Sequence, residues 1–359
     1  MKKILATLLF SLFFLVAAAQ VPAVDSRIVY EGRTFVENES VSFDWSGTTV
    51  RIHFSGRSLS MKASGTKTCY FNVWVDEEPS AKHQSVLEVK DGGEYTICQK
   101  LKKGDHSVVL QKRQEGEHGA CRIESFETDG ELLQAGEPFT RKIEFIGDSY
   151  TCGFGTEGAD RNTPFKAEEE NCNLTYAAII GRYFDASVRH IAHSGRGIAR
   201  NYNGADKENT MPVRYTRTMC ERPDLQWSPA ESGYKPDIVV IYLGTNDFSV
   251  GLQPTMDRWC EEYLKLLREV RAYYGENVPI LCVASKANEL MGDYVEEVVR
   301  RFGDKNASWT SIQKDAHNDT TELGSAWHPN YAGHRKVALC MIPYISTLTG
   351  WDLPLKTIE

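Results

Sequence analysis

Apolar residues change their spacing midway along the chain. From about residue 20 to 130 they alternate with polar ones or gather in short runs, at 50–54, 59–61, 70–75, 86–89, 108–110 and 121–123, with turn residues between them at 76–79 and 91–93. A period of two places alternate side chains on opposite faces of a strand. This half is therefore predicted to be all-β, and many short strands without a helical stretch specify a sandwich or jelly roll. Residues 130–138 read as the linker out of it.

Beyond the linker the period lengthens. Short apolar runs at 143–146, 187–192, 238–243 and 279–284 alternate with longer patterns, and the last two runs precede helical stretches at 256–274 and 289–302. In the first of these helices Trp259, Tyr263, Leu267 and Val270 recur at three- and four-residue intervals. Strands alternating with helices predict a parallel sheet covered on both faces, which places ligands at the carboxyl ends of its strands. The residues just past each run are then the ones to inspect. They are Gly147-Asp148-Ser149, Ser194-Gly195-Arg196-Gly197 and Gly244-Thr245-Asn246-Asp247. Near the end, Trp327-His328-Pro329-Asn330 precedes Gly333-His334 and a helical stretch through Ile345, which would carry a histidine to the same edge.

The chain opens with Lys2 and Lys3, an apolar run at 4–16 and then Ala17-Ala18-Ala19, the layout of a secretory signal peptide. About 13 apolar residues are too few for a bilayer span, which takes ~20, so residues 1–19 are expected to be removed and the protein to be periplasmic or secreted. The organisation expected is a signal peptide at 1–19, a sandwich at 20–136 and an α/β domain at 137–359. A formal net charge of −8 argues against nucleic acid as a partner, since phosphate binding needs a concentrated basic surface. Nine dispersed cysteines include no Cys-x-x-Cys pair and no zinc-type spacing. Export would permit disulfides, whose pairing the spacing leaves open, and Cys260 and Cys340 fall in helical apolar patterns that suit buried packing residues.

A serine on a turn after a strand is a candidate nucleophile of the kind a hydrolase presents at a sheet edge, and such a nucleophile also requires a base and donors for an oxyanion. Taken singly, Gly195 reads better as a positive-φ turn residue and Asn246 as a cap or turn residue, and His328 could be a surface loop residue. Their joint order is more specific. The four segments resemble the ordered blocks of the SGNH (GDSL-type) hydrolases, and together with the leading sandwich they resemble carbohydrate esterase family 2 over essentially the whole mature chain.

The resemblance implies an α/β SGNH (flavodoxin-like) three-layer domain preceded by a jelly roll. It further implies that Ser149 is the nucleophile and His328 the base, that Ser149 N–H, Gly195 N–H and the Asn246 amide form the oxyanion hole, and that no cofactor or metal takes part. The substrates implied are O-acetyl esters of plant cell-wall polysaccharides such as xylan or glucomannan. SGNH enzymes commonly carry an aspartate three residues before the histidine, and here that position is Ser325. Some family 2 esterases resemble this arrangement and work with a serine–histidine dyad whose imidazole is held by a backbone carbonyl, and the resemblance implies the same here, with Ser325 as a further contact; Asp315, Asp319 and Glu322 are the substitute acids. Asp148 and Asp247 are read as caps or braces, and the polar insertions 156–173 and 203–235 as cleft borders. Trp327, Trp227, Tyr202 and Tyr215 are candidate sugar platforms, for each of which core packing is the competing reading. The rival functions are an SGNH esterase on a lipid or peptidoglycan ester and a degenerate carbohydrate-binding protein.

Overall fold

The computed structural model describes residues 19–136, 139–204, 208–286 and 288–359. The candidate signal at 1–19 lies outside them, apart from the backbone of Ala19, which opens a strand, Ala19–Pro22.

Among these residues the first half forms two six-stranded antiparallel sheets. In the strand Thr49–Gly56 the residues Val50, Ile52 and Phe54 turn inward, as their alternation predicts, and meet Val41, Phe43, Met61 and Ile123 of the other sheet in one core. Phe43 and Phe71 bridge the two sheets edge to face at 6.2 Å. All six runs read from the sequence lie in strands. The linker reading needs correction, because Glu131–Leu133 is a strand paired antiparallel with residues 53–55. Its three residues are too few to show a period.

The second half carries a five-stranded parallel sheet, in spatial order Ala186–Ala192, Arg141–Gly147, Ile238–Tyr242, Ile280–Ala284 and Ala307–Ser311. This is the doubly wound order 2-1-3-4-5, in which the chain reverses its direction of travel beside the first strand. Ile143, Phe145, Val240 and Val283 pack under the helices Tyr176–Phe184 and Tyr331–Thr349. Ile146, Val239, Ile241 and Cys282 pack under Met256–Tyr274 and Met291–Phe302 on the other face. No helix is long and apolar enough to cross a membrane among the described residues.

The sandwich and the α/β half share a polar seam. Asp44 accepts the N–H groups of Cys220 and Glu221 at 2.7 and 3.0 Å, and Trp45 Nε1 donates to Thr218 O at 2.9 Å. Arg33 is buried there, 3.9 Å from the Glu144 carboxylate, while Glu144 also accepts the hydroxyls of Tyr215 and Tyr274 at 2.9 and 2.8 Å. The Arg33 guanidinium lies 3.9 Å from the centre of the Trp227 ring. Much of the insertion at 203–235 therefore serves the seam. All nine cysteines are free thiols; Cys260 is buried, and Cys340 is only half-buried.

Candidate active site

Strand register brings the loops together. In the parallel sheet Gly147 is level with Ala192 on one side and with Tyr242 on the other. Ser149, Gly195 and Asn246 follow that rung by two, three and four residues, at the carboxyl edge and at the reversal point where such sheets form a crevice.

The Ser149 turn is built by its neighbours. Asp148 caps the one-turn helix Ser149–Cys152, its carboxylate accepting Tyr150 N–H at 3.1 Å. A side chain at Gly147 would run into Thr151 Oγ1. Gly195 adopts φ +73, the left-handed region that favours glycine, and its carbonyl accepts Tyr202 N–H at 2.8 Å. Asp247 fastens the rest of that loop by accepting from Ile198, Ala199 and Arg200 N–H at 2.8, 2.7 and 2.9 Å. Burial pushes the Asp148 carboxyl up to about 7 and that of Asp247 up to about 6. The two aspartates are thus a cap and a brace. Asn246 Nδ2 donates to Arg196 O at 2.9 Å and lies 3.3 Å from Asp148 Oδ2, between the serine turn and the glycine loop.

His328 returns to this edge from the loop before the last helix. Its Nε2 is 2.8 Å from Ser149 Oγ, and its Nδ1 is 2.7 Å from Ala326 O. One neutral tautomer satisfies both contacts: Nδ1–H donates to the carbonyl and Nε2 accepts the serine hydroxyl proton. The carbonyl of Ala326 reaches a ring two residues on because Ala326 and Trp327 take φ +52 and +62 in succession. Such non-glycine conformations cost of order 1–3 kcal/mol each and need support. The segment after Ser149 supplies it, since Ser325, Ala326 and Trp327 N–H donate to Gly155, Thr163 and Arg161 carbonyls at 3.0, 2.9 and 3.2 Å.

No carboxylate fills the missing acid's place among the described residues. Asp319 faces Lys286 and His317 at 3.1 and 3.2 Å, Glu322 pairs with Lys336 at 2.6 Å, and Asp315 is exposed. Ser325 Oγ is buried without a hydrogen-bond partner, so Ser325 contributes backbone contacts to the loop rather than a hydroxyl to the imidazole. His334 is buried in the helix Tyr331–Thr349 against Tyr176.

Burial lowers the His328 pKa to about 4, although the Ala326 carbonyl acts in the opposite sense. A base works as neutral imidazole, so a depressed pKa extends its working range downward in pH. We expect kcat/KM for 4-nitrophenyl acetate to hold to about pH 5 and to fall as the pH passes through about 4. An acidic limb near the ordinary value of 6.5 would contradict the buried, carbonyl-held imidazole.

The four aromatic candidates separate by burial. Trp327 and Tyr202 are exposed, at 56% and 57%, and they adjoin His328 and Gly195. Arg161 lies over the Trp327 ring at 4.5 Å. Trp227 and Tyr215 are instead buried around Arg33 and cannot present a face to a sugar, which corrects their place among the platforms. The reason is the sandwich, which covers them. Three neighbours escaped the sequence reading. Phe154 packs 4.7 Å from the His328 ring and stacks on Phe165 at 3.6 Å. Glu115 reaches across from the sandwich to accept Ser194 N–H at 2.6 Å. The Gly-rich context of Phe154 was a signal; Glu115 lies in a polar stretch of the other half and offered none.

Known proteins resemble this chain over both of its halves. Residues 30–135 match the family described as carbohydrate esterase 2 N-terminal, and residues 145–336 match the GDSL-like lipase/acylhydrolase family. A cellulase/esterase of Acetivibrio thermocellus is 32% identical over 93% of this chain, which spans 41% of that relative's length. An acetylxylan esterase / glucomannan deacetylase of Cellvibrio japonicus is 27% identical over 89% of this chain and 90% of its own. The solved structure of a family two carbohydrate esterase from Clostridium thermocellum in complex with cellohexaose superposes with a TM-score of 0.81 at 32% identity, over 90% of this chain and 100% of that one. The chain belongs to the GDSL-like hydrolases and, within them, to the family 2 carbohydrate esterases.

Proposed function

We propose that this protein is an exported serine esterase that removes O-acetyl groups from plant cell-wall polysaccharides of the acetylated xylan or glucomannan type. The observation that carries the reading is the contact of Ser149 Oγ with His328 Nε2 at 2.8 Å, backed by Ala326 O on the far side of the ring. Ser149 Oγ attacks the acetyl carbon as Nε2 takes its proton. Collapse of the tetrahedral intermediate expels the sugar alkoxide, which receives that proton, and leaves an acetyl-serine. Water, deprotonated by the same nitrogen, then releases acetate. In both steps the Ala326 carbonyl, a partial charge instead of a full one, stabilises the imidazolium.

The oxyanion would take Ser149 N–H, at the start of its short helix, and Gly195 N–H. It would also take the Asn246 amide proton now directed at Asp148, whose 3.3 Å contact is the longer of the two Asn246 makes. Asn246→Ala is expected to lower kcat by about 10²–10³ with KM little changed, which steady-state kinetics on an aryl acetate would read. Exposed Trp327 and Tyr202 suit the two faces of a sugar chain running past the serine, and the relative named as an acetylxylan esterase / glucomannan deacetylase supports that substrate class.

Acetate release from acetylated xylan and glucomannan, against O-acetyl peptidoglycan and lipid acetyl esters, with Ser149→Ala as the blank, tests the proposal. Preference for the polysaccharides is expected. Equal rates for wild type and Ser149→Ala would make the chain a binder, and a preference for either other ester would replace the substrate.

A further inference from the structure

Where the sandwich meets the segment after Ser149, a cluster lies outside the ester-cleaving machinery. Glu115 and His118 flank and close the short turn Gly116–His118 of the sandwich, and Glu170 comes from the α/β half. Both carboxylates are fully buried. His118 Nε2 is 3.7 Å from Glu115 Oε1 and 3.6 Å from Glu170 Oε2, and one ligand atom of each residue lies within 4.8 Å of the other two. Neither Glu115 Oε1 nor either oxygen of Glu170 has a partner in good hydrogen-bond geometry, the Glu115 N–H being the group that approaches the Glu170 carboxylate.

Lys112 and His193 are the cationic groups nearby, and neither hydrogen-bonds the unsatisfied oxygens. Buried Lys112 directs Nζ to the carbonyls of Gln114 and Glu115, the latter at 3.2 Å. His193 faces the other Glu115 oxygen, Oε2, at 3.3 Å and is held by Glu221 at 2.9 Å, while Glu117 lies 3.7 Å from His193. Two buried carboxylates facing one another with their oxygens unsatisfied are strongly unfavourable unless a cation or a proton stands between them.

We propose that Glu115, His118 and Glu170 bind a divalent cation of the zinc class, which staples the sandwich to the wall of the catalytic cleft. The separations of 3.6 and 3.7 Å are close to the edge of about 3.3–3.4 Å of a tetrahedron built from ~2.0–2.1 Å bonds. An imidazole with two carboxylates suits zinc, whereas calcium and magnesium favour more oxygens and no nitrogen. The His118 side chain, 20% exposed, marks the entry path. Its ring packs 5.1 Å from Phe165, which stacks on Phe154 beside His328, so the cation steadies the cleft wall without touching the reacting atoms.

Equilibrium dialysis of the chelator-stripped full chain against zinc, with bound metal counted by mass spectrometry, tests the site. One zinc per chain is expected in the wild type, with loss of that equivalent in Glu170→Gln and in His118→Ala. It should survive in Glu221→Gln, which disrupts the neighbouring group of His193, Cys220 and Glu221, and in His328→Ala. Zinc should also raise the melting temperature of the wild type and leave that of Glu170→Gln unmoved. Failure of the wild type to bind stoichiometric zinc at low micromolar free metal would overturn the proposal and leave a shared proton between the carboxylates. So would zinc that persists in both cluster variants or disappears with Glu221→Gln. Should a variant fail to fold, anomalous scattering at the zinc edge from wild-type crystals decides by whether the ion sits among the three side chains.

Discussion

Ser149→Ala is expected to lower kcat for acetyl-ester hydrolysis by roughly 10⁴–10⁶, His328→Ala by a similar factor, and the double variant by little more than either. The two side chains share one proton across 2.8 Å, so removing either disables the same step, and the effects cannot add. The site should remain folded, because the Ser149 turn is held by the Asp148 cap and the His328 loop by backbone bonds to Gly155, Thr163 and Arg161. Asp319→Asn and Glu322→Gln should leave kcat almost untouched, as their carboxylates face Lys286 and Lys336. Steady-state rates on 4-nitrophenyl acetate, with circular dichroism on each variant, check the set. A large loss in Asp319→Asn would restore a triad and remove the carbonyl from its role.

Arg33→Ala is expected to destabilise the protein by about 3–5 kcal/mol. Arg33 and Glu144 are wholly buried 3.9 Å apart, and the guanidinium stacks on Trp227 and Tyr215. Without it the Glu144 carboxylate keeps only two tyrosine hydroxyls in a dry seam. The loss would fall on the junction of sandwich and sheet, so midpoint denaturant concentrations read by tryptophan fluorescence report it directly, Trp45 and Trp227 lying within that junction. A shift equivalent to less than about 1 kcal/mol would mean that water or a second cation replaces Arg33. The contrast with the exposed pair of Lys314 and Glu289 is one of solvent: such surface pairs contribute about 0–1 kcal/mol.

Ser149, Gly195 and Asn246 were legible as a set and not one by one, each just past an apolar run, because a parallel sheet delivers its ligands there whatever the loops contain, while His328 was read from the helical stretch that follows it. Strands and helices with a strong period were legible for the same kind of reason: Val50, Ile52 and Phe54 alternate, and the helix predicted at 256–274 is found as Met256–Tyr274. The edge strand Ala307–Ser311 and the helix Tyr176–Phe184 escaped. The first is only partly buried, and the second is apolar on nearly every face, so neither shows a clean period. That a backbone carbonyl would hold His328 followed from the family resemblance, but which carbonyl it is could not be read, because its direction is set by two left-handed residues that no side-chain pattern announces. Only the fold could sort Trp227 and Tyr215 from Trp327 and Tyr202, since burial depends on which surface another part of the chain covers. The same holds for Glu115, 79 residues from the Ser194 N–H it accepts. Local spacing carries the elements and their ends; contacts between distant segments are made by packing, and packing decides which of the candidate side chains reach solvent, substrate or one another.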